Sequence, residues 1–298
     1  MTALHRFAAL AFVAGVGGAC TAARSTASAG TTITNVSILD GSGAPAVRGA
    51  VRFVADTIVA FGDLKPLRGD SVIDGKGLTL APGFIDTHSH HDRSLLKMPD
   101  ALGAVSQGIT TIVVGNDGSS SMPLGAAFDR MTKAGVAINV ASYAGHGSIR
   151  DAVMGADGKR VATAKEIDSM RALLKQELDA GALGLSTGLE YDPGIYSNRA
   201  EVLELAKVAA AAGGRYISHI RSEDRTFWDA IDEVITIGRD AKLPVQVSHI
   251  KLAMIPLWGR TDSLFALLDS ARAQHRHHGR RVSLHVLAGG PDRLVPEA

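Results

Sequence analysis

The feature that most constrains this chain is a regular alternation of short apolar runs with helical patterns after Gly83. The runs are nearly continuous in Val, Ile and Leu, which is typical of strands buried on both faces of a parallel sheet. Seven of them follow one another: GFIDTHSH, TTIVVGND, AINVASYAGHG, ALGLSTGLEY, RYISHIRSE, PVQVSHIKLA and RVSLHVLAG. Repetition of a strand–helix unit favours an α/β fold of the TIM-type (β/α)8 barrel class over an open sheet. We count seven strands where a complete barrel needs eight, and therefore predict an incomplete barrel.

Helices are predicted in three of the intervening segments. Thr163 and Glu166 have the spacing of a capping box, and the helix that they begin is predicted to end at Gly181. The other two segments run over 200–214 and 226–241, each with apolar residues at helical spacing.

The residues before the barrel divide into two further regions. Residues 31–80 contain short alternating runs broken by Gly, Asp and Pro, which predicts a small antiparallel β unit, part of a β-sandwich. Residues 1–30 are predicted to be a leader, because a weakly basic start precedes an apolar run over 7–19. That run is shorter than the ~20 residues that cross a membrane. The barrel is assigned to residues 81–298.

The leader and the composition favour a particular environment. Cys20 follows Gly17-Gly18-Ala19, which resembles a bacterial lipoprotein box. The chain is therefore predicted to be exported, either lipid-anchored at Cys20 or cleaved within TAARSTASAG and released to the periplasm. A mis-assigned start codon on a cytosolic enzyme is the alternative. The net charge of +1 and dispersed basic residues argue against a nucleic-acid partner, and the single cysteine excludes an intramolecular disulfide. The sequence favours no oligomeric state.

Polar residues recur where the predicted strands end. Since the carboxyl ends of barrel strands surround one mouth, these side chains are expected to converge. One such histidine is commonly a hydrogen-bonded structural residue, but a series of imidazoles and carboxylates at successive strand ends indicates a metal site. The residues in question are His88, His90, Asp117, His146, Glu190, His219 and His249.

The spacing of His88 and His90 supports a metal. Residues i and i+2 of a strand share a face, so both imidazoles are predicted to point into the barrel, about 6–7 Å apart along the strand. Imidazole together with carboxylate favours zinc, one or two ions, over manganese, iron or cobalt.

Several segments, in order, resemble the amidohydrolase superfamily and more narrowly the D-aminoacylase (N-acyl-D-amino-acid deacylase) family. ILDGSGAPAVRGAVRF resembles the family's opening β-sandwich, and LAPGFIDTHSHHD resembles its first barrel strand. GITTIVVGNDGSS, GALGLSTGLEYDPG, RYISHIRSED and VQVSHIKLA resemble the segments that follow. The resemblance extends from Thr31 to Trp258 and implies a TIM barrel with a small β-sandwich.

The resemblance also implies roles for individual residues. His88 and His90 would hold one metal, while His219 and His249 would hold a second or shared one. Asp117 stands where many members have cysteine, and a carboxylate there can still bind zinc. Glu190 lies where related proteins place a bridging residue, although it could equally be a surface acid.

A further set of residues is implied to bind the substrate. Lys251 would contact a substrate carboxylate, and Tyr191 and Arg221 could do the same. His146 would line the pocket. For Arg221 and Glu223 the alternative is a salt bridge at the barrel rim, and for His146 it is a place in a turn.

The implied reaction is metal-dependent hydrolysis of a linear amide in a small N-acyl-D-amino acid. The family's general acid–base Asp follows its eighth strand, and no residue here matches it. Beyond RVSLHV the sequence LAGGPDRLVPEA departs from the family, so we predict truncation near His285, two open sheet edges, a marginally stable product and weak turnover. The alternatives are a non-catalytic zinc-binding remnant, or another superfamily hydrolase such as a dipeptidase or cyclic amidase.

Overall fold

The computed structural model describes residues 28–276 and 284–286. The predicted leader with Cys20, and the carboxyl-terminal tail past residue 286, lie outside the described residues. The described chain divides into two compact units, with the boundary between Pro82 and Gly83. None of the helices in these ranges combines the length and apolar character needed to span a bilayer.

The first unit is a small five-stranded sheet. Its strands are β1 (Thr31–Ile38), β2 (Val47–Val54), β3 (Thr57–Gly62), β4 (Ser71–Asp74) and β5 (Thr79–Leu80). Their order is β3-β2-β1-β4, and β5 also pairs with β1. β1, β2 and β3 are antiparallel, as predicted, but β4 and β5 run parallel to β1. An entirely antiparallel unit was therefore a wrong prediction, because the chain crosses to the far side of β1 after β3.

A buried carboxylate ties this first unit together. Asp70 accepts hydrogen bonds from the side chains of Arg52 and Thr32 and from the backbone amides of Gly30 and Leu67. The guanidinium of Arg52 is the main reason that the pKa of Asp70 lies well below its usual value. One side chain thus links β1, β2 and the turn before β4.

The second unit is built on parallel strands. They are β6 (Phe84–Asp86), β7 (Ile109–Val114), β8 (Asn139–Ser142), β9 (Ala144–Gly145), β10 (Gly184–Gly188), β11 (Arg215–His219), β12 (Val245–Val247) and β13 (Leu284–Val286). They pair in chain order as two sheets, β6-β7-β8 and β9-β10-β11-β12-β13, and every pair is parallel. Each of the seven predicted segments contains a strand, and the third is divided at Tyr143. The described strands form two open sheets and not a closed ring.

Helices alternate with these strands. They are α1 (Asp92–Leu95), α2 (Leu102–Val105), α3 (Leu124–Ala134), α4 (His146–Met154), α5 (Ala164–Asp179), α6 (Arg199–Ala211), α7 (Phe227–Ala241) and α8 (Thr261–Arg276). The three predicted helices correspond to α5, α6 and α7. The predicted capping box is present, since the Thr163 hydroxyl accepts from the Glu166 amide and the Glu166 carboxylate accepts from the Thr163 amide.

The core lies between the helices and the longer sheet. Leu174 of α5, Leu205 of α6 and Ile231 of α7 are fully buried in one cluster with Leu185 of β10. Each such side chain contributes roughly 1.5–3 kcal/mol when it leaves water. This packing fixes the strands and so fixes where their carboxyl ends lie.

Candidate metal centre

The paired histidines lie just past β6 and not within it. The strand ends at Asp86, whose carboxylate accepts a hydrogen bond from the His88 backbone amide at 3.1 Å. This Asx-type contact turns the chain, so the prediction that one strand carries both imidazoles is wrong. The two rings still lie together, with centroids 5.4 Å apart.

The Asp117 carboxylate lies close to the imidazoles of His88, His90 and His249. Its Oδ2 lies 3.1 Å from His88 Nε2, 3.2 Å from His90 Nε2 and 3.6 Å from His249 Nε2. The residue follows β7 in a turn and has a φ of 55°. Aspartate tolerates this left-handed conformation better than most residues do. The turn brings its carboxylate to imidazoles that follow two other strands, β6 and β12.

His219 and His249 face each other across two further strand ends. His219 is the last residue of β11, and His249 lies two residues past β12 with a φ of 28°. His219 Nδ1 is 3.1 Å from His249 Nε2. The remaining nitrogens face carboxylates, His219 Nε2 at 2.9 Å from Glu190 and His249 Nδ1 at 3.0 Å from Glu223.

The side chains form three overlapping sets, and within each set the possible ligand atoms lie within 4.8 Å of one another. The sets are His88–His90–Asp117, Asp117–His219–His249 and Glu190–His219–Glu223. Imidazole nitrogen and carboxylate oxygen are donors that zinc accepts. Asp117 Oδ1 is buried and has no hydrogen-bond partner among the described residues. Two nitrogens at zinc-bond length in a tetrahedral site lie about 3.3–3.4 Å apart, close to the His219–His249 separation. The residues therefore fit a divalent metal.

The electrostatics of the cluster favour a cation. Burial opposes ionisation of Asp117, but hydrogen bonds with His249 and His88 outweigh it and hold the Asp117 pKa below its usual value. The hydrogen bond with Asp117, followed by the one with Glu223, raises the pKa of His249 to about 9. Carboxylates that stabilise a proton this strongly also stabilise a divalent ion.

Two predicted substrate-binding residues border this cluster. Tyr191 donates its hydroxyl to the Asp117 backbone carbonyl at 2.8 Å and packs edge-on against His219. Lys251 Nζ lies 2.7 Å from a Glu223 carboxylate oxygen and 3.0 Å from His249 Nδ1. Its side chain is half-exposed, so the ammonium is accessible from the mouth of the site.

His146 does not line the pocket, and that prediction is wrong. The side chain is fully buried at the start of α4, where Nε2 lies 2.8 Å from the Glu201 carboxylate. Arg150 pairs with the same carboxylate. The imidazole was expected at the mouth because it follows a strand, but the turn into α4 directs it toward α6.

Arg221 is likewise separate from the metal ligands. Its guanidinium forms two hydrogen bonds with Glu233, at 2.8 and 2.9 Å, and one with the Ser197 carbonyl. Arg221 is thus in a salt bridge, but with Glu233 and not with Glu223, which pairs with Lys251 instead. Arg221 lines a polar cavity of about 340 Å³, whose other walls include Asn198, Arg199, Thr226 and Asp229.

Glu223 is the functional candidate that the sequence interpretation missed. The sequence predicts only an acid at the rim, yet its carboxylate contacts His249 and Lys251, and its backbone amide donates to Glu190. The available signal was its place four residues after His219, at the same strand end.

Comparison with known proteins agrees with this geometry. The profile described as "Amidohydrolase family" matches residues 71–286, well over half of the chain. The chain belongs to the amidohydrolase family. This confirms the family resemblance drawn from the strand-end motifs.

Three relatives of this amidohydrolase are informative. A D-aminoacylase from Alcaligenes xylosoxydans xylosoxydans is 35% identical over 260 residues, covering 80% of this chain and 54% of the relative. An N-acyl-D-glutamate deacylase from the same organism is 37% identical over 286 residues, covering 87% and 57%. The crystal structure of N-acyl-D-glutamate deacylase from Bordetella bronchiseptica, complexed with zinc and a phosphonate inhibitor, is 36% identical with a TM-score of 0.80, covering 86% and 57%.

These likenesses also bear on the fold. The solved relative covers 86% of the chain, which confirms the TIM-type barrel class, and the described strands do not close into a ring. The chain spans about half the length of the curated relatives it matches.

Proposed function

We propose that this chain belongs to a zinc-dependent hydrolase of linear amides, with N-acyl-D-amino acids as substrates. The observation that carries the proposal is the convergence of four imidazoles and one carboxylate from four strand ends. Their possible ligand atoms form overlapping groups, and the atoms of each group lie within 4.8 Å of one another. Relatives named for D-amino-acid deacylation support the choice of substrate.

Five residues would hold the metal: His88, His90, Asp117, His219 and His249. What a bound zinc ion supplies is Lewis acidity, which polarises an amide carbonyl and makes water nucleophilic near neutral pH. The chain's contribution is to hold the donor atoms close together before the metal arrives. Asp117 contributes most, because its Oδ2 is within 3.6 Å of three of the imidazoles.

Lys251 and Tyr191 would orient the substrate. The Lys251 ammonium is half-exposed and adjoins His249, so it can pair with the carboxylate of an acyl amino acid whose amide reaches the cluster. That carboxylate would share or replace Glu223 as the partner of Lys251. Tyr191, held by the Asp117 carbonyl, would form a wall beside His219.

Hydrolysis also needs a group that accepts a proton from water and gives one to the departing amine. In the described part of the chain, the carboxylates next to His219 and His249 are Glu190, Glu223 and the predicted ligand Asp117. Both glutamates already accept hydrogen bonds from imidazole or lysine. We assign the proton transfer to neither of them.

The test is a paired measurement of metal and turnover. The purified chain is analysed for zinc by mass spectrometry and then assayed with N-acetyl-D- and N-acetyl-L-amino acids. We expect one or two zinc ions per chain and hydrolysis confined to the D series. Failure to bind zinc would refute the proposal, and equal rates with L substrates would refute the substrate class.

A zinc-binding protein without turnover is the second candidate. The hydrogen bonds of Glu190 and Glu223 favour it, because both carboxylates already accept from an imidazole or from Lys251. Zinc binding with no hydrolysis of any N-acyl amino acid would select this candidate.

We also propose export, on the pattern of residues 1–30. Incorporation of labelled palmitate that is abolished by Cys20→Ser would support a lipid anchor. Release of an unlabelled mature chain to the periplasm would support simple cleavage, and full-length protein in the cytosol would contradict export.

A further inference from the structure

We propose that Glu190 and Glu223 are positioning residues that each fix one tautomer of a metal-binding imidazole. Glu190 would keep the proton of His219 on Nε2, and Glu223 would keep the proton of His249 on Nδ1. The lone pairs of His219 Nδ1 and His249 Nε2 are then directed at the metal. The inference rests on the proposed zinc-binding function.

The argument for His219 starts from the chemistry of its two nitrogens. A neutral imidazole has one N–H donor and one acceptor nitrogen, and an ionised carboxylate can only accept. His219 Nε2 lies 2.9 Å from Glu190 Oε2, so that nitrogen carries the proton. Nδ1 is left with its lone pair, 3.1 Å from His249 Nε2.

The same reasoning gives the opposite tautomer for His249. Its Nδ1 lies 3.0 Å from Glu223 Oε1 and must donate to it. Its Nε2, 3.6 Å from Asp117 Oδ2, can share a proton with that carboxylate in the metal-free chain, and with metal bound it would hold a lone pair in place of that proton. The two nitrogens that would bind the metal, one from each histidine, therefore converge on the same region as the Asp117 carboxylate. A carboxylate behind a metal-binding histidine fixes the ring orientation and raises the basicity of the ligand.

Lys251 lies close to His249 Nδ1, so Glu223 is needed to keep the proton on that nitrogen. Its Nζ is 3.0 Å from His249 Nδ1, and an ammonium can only donate. If Lys251 donated to Nδ1, the proton would move to Nε2 and block metal binding there. Glu223 prevents this, because it accepts from Lys251 at 2.7 Å as well as from His249. Removing Glu223 should thus do more than delete one hydrogen bond.

The alternative is that Glu190 ligates the metal itself, as the sequence analysis allowed. His219 Nε2, Glu190 and Glu223 do form a compact set. The Glu223 carboxylate, however, already accepts hydrogen bonds from Lys251 and His249. Glu190 Oε1 accepts from the Glu223 backbone amide at 3.1 Å. The buried Asp117 Oδ1 has no partner among the described residues and is therefore better placed to bind a cation.

Zinc affinity gives the first test. Metal-free protein is titrated with zinc in competition with a chromophoric chelator. We expect Glu190→Ala and Glu223→Ala each to weaken zinc binding about 10–100-fold. Glu190→Gln and Glu223→Gln should lose less, because the amide oxygen can still accept. Glu204→Ala, at a partly exposed glutamate paired with Lys207, is the matched control and should bind as wild type does.

A double substitution separates tautomer control from general structural damage. Adding Lys251→Met to Glu223→Ala should restore part of the lost zinc affinity, because the competing donor is gone. A merely structural Glu223 would give no recovery, and that result would overturn the inference.

Nitrogen-15 spectra of histidine-labelled, zinc-loaded protein give an independent readout. We expect a protonated Nε2 on His219 and a protonated Nδ1 on His249. The reverse assignment, or loss of one zinc equivalent at saturation in Glu190→Gln, would overturn the inference. Unchanged zinc affinity in all four glutamate variants would do so too while leaving the proposed function standing. A wild-type chain that binds no zinc would end both.

Discussion

Glu201 is the centre of a fully buried ionic network in the second unit. Its carboxylate pairs with Arg150 through Nη1 and lies 2.8 Å from His146 Nε2, and all three side chains are without solvent exposure. Arg150 also donates to the carbonyls of Gly158 and Arg160. The network therefore joins α4, α6 and the loop before α5.

Removing the carboxylate should be costly. In Glu201→Ala the guanidinium and the imidazole lose their acceptor in a place that water does not reach. Breaking a buried pair by removing one partner typically costs about 3–5 kcal/mol. Since whole domains are stable by only about 5–15 kcal/mol, this is a large share of the total. We expect the free energy of unfolding to fall by that amount.

The assay is urea unfolding followed by tryptophan fluorescence. Both tryptophans, Trp228 and Trp258, belong to the second unit and report on it alone. Glu204 on the same helix is partly exposed, and Glu204→Ala should change stability by about 0.5 kcal/mol or less. A loss below about 1 kcal/mol for Glu201→Ala, or equal losses at both positions, would refute the reasoning.

Three further predictions concern Asp117, Lys251 and Asp70. Asp117→Ala should abolish the zinc-dependent rise in melting temperature, measured by differential scanning fluorimetry with and without added zinc. Lys251→Met should raise KM for N-acyl-D-amino acids more than it lowers kcat, whereas Lys175→Met, at an exposed ion pair, should change neither in steady-state assays. Arg52 lowers the pKa of Asp70, so the ionised carboxylate stabilises the first unit fully above the ordinary aspartate pKa of about 3.9. This stabilisation is lost as pH falls through the lowered pKa. Asp70→Asn should therefore flatten the acid dependence of unfolding measured by circular dichroism.

Local signals allowed the fold to be predicted. The capping box of Thr163 and Glu166 needs only its own helix end, so it was correct to the residue. The strands of the second unit were found because buried parallel strands are apolar throughout. The parallel pairing of β4 with β1 was missed, because pairing between segments some forty residues apart leaves no periodic trace.

The site was predicted only in part, for the same reason. His88, Asp117 and His249 were recognisable as polar residues after apolar runs, and the structure brings them together. His146 has the same signature, but the turn into α4 directs its ring to Glu201 of α6. Sequence position gives the strand end and does not give the direction in which the turn sends the side chain.

The predicted ligands outside β11 lie in turns, which are less precise supports than strands. Hydrogen bonds compensate for this at His88, Asp117 and His249. The Asp86 carboxylate holds the His88 amide, the Tyr191 hydroxyl holds the Asp117 carbonyl, and Glu223 holds His249. Two of these contacts join different strand ends, so a change at one strand end displaces a ligand on another. The geometry of the cluster therefore depends on contacts between several strand ends. His88 and His90 alone could not have specified it.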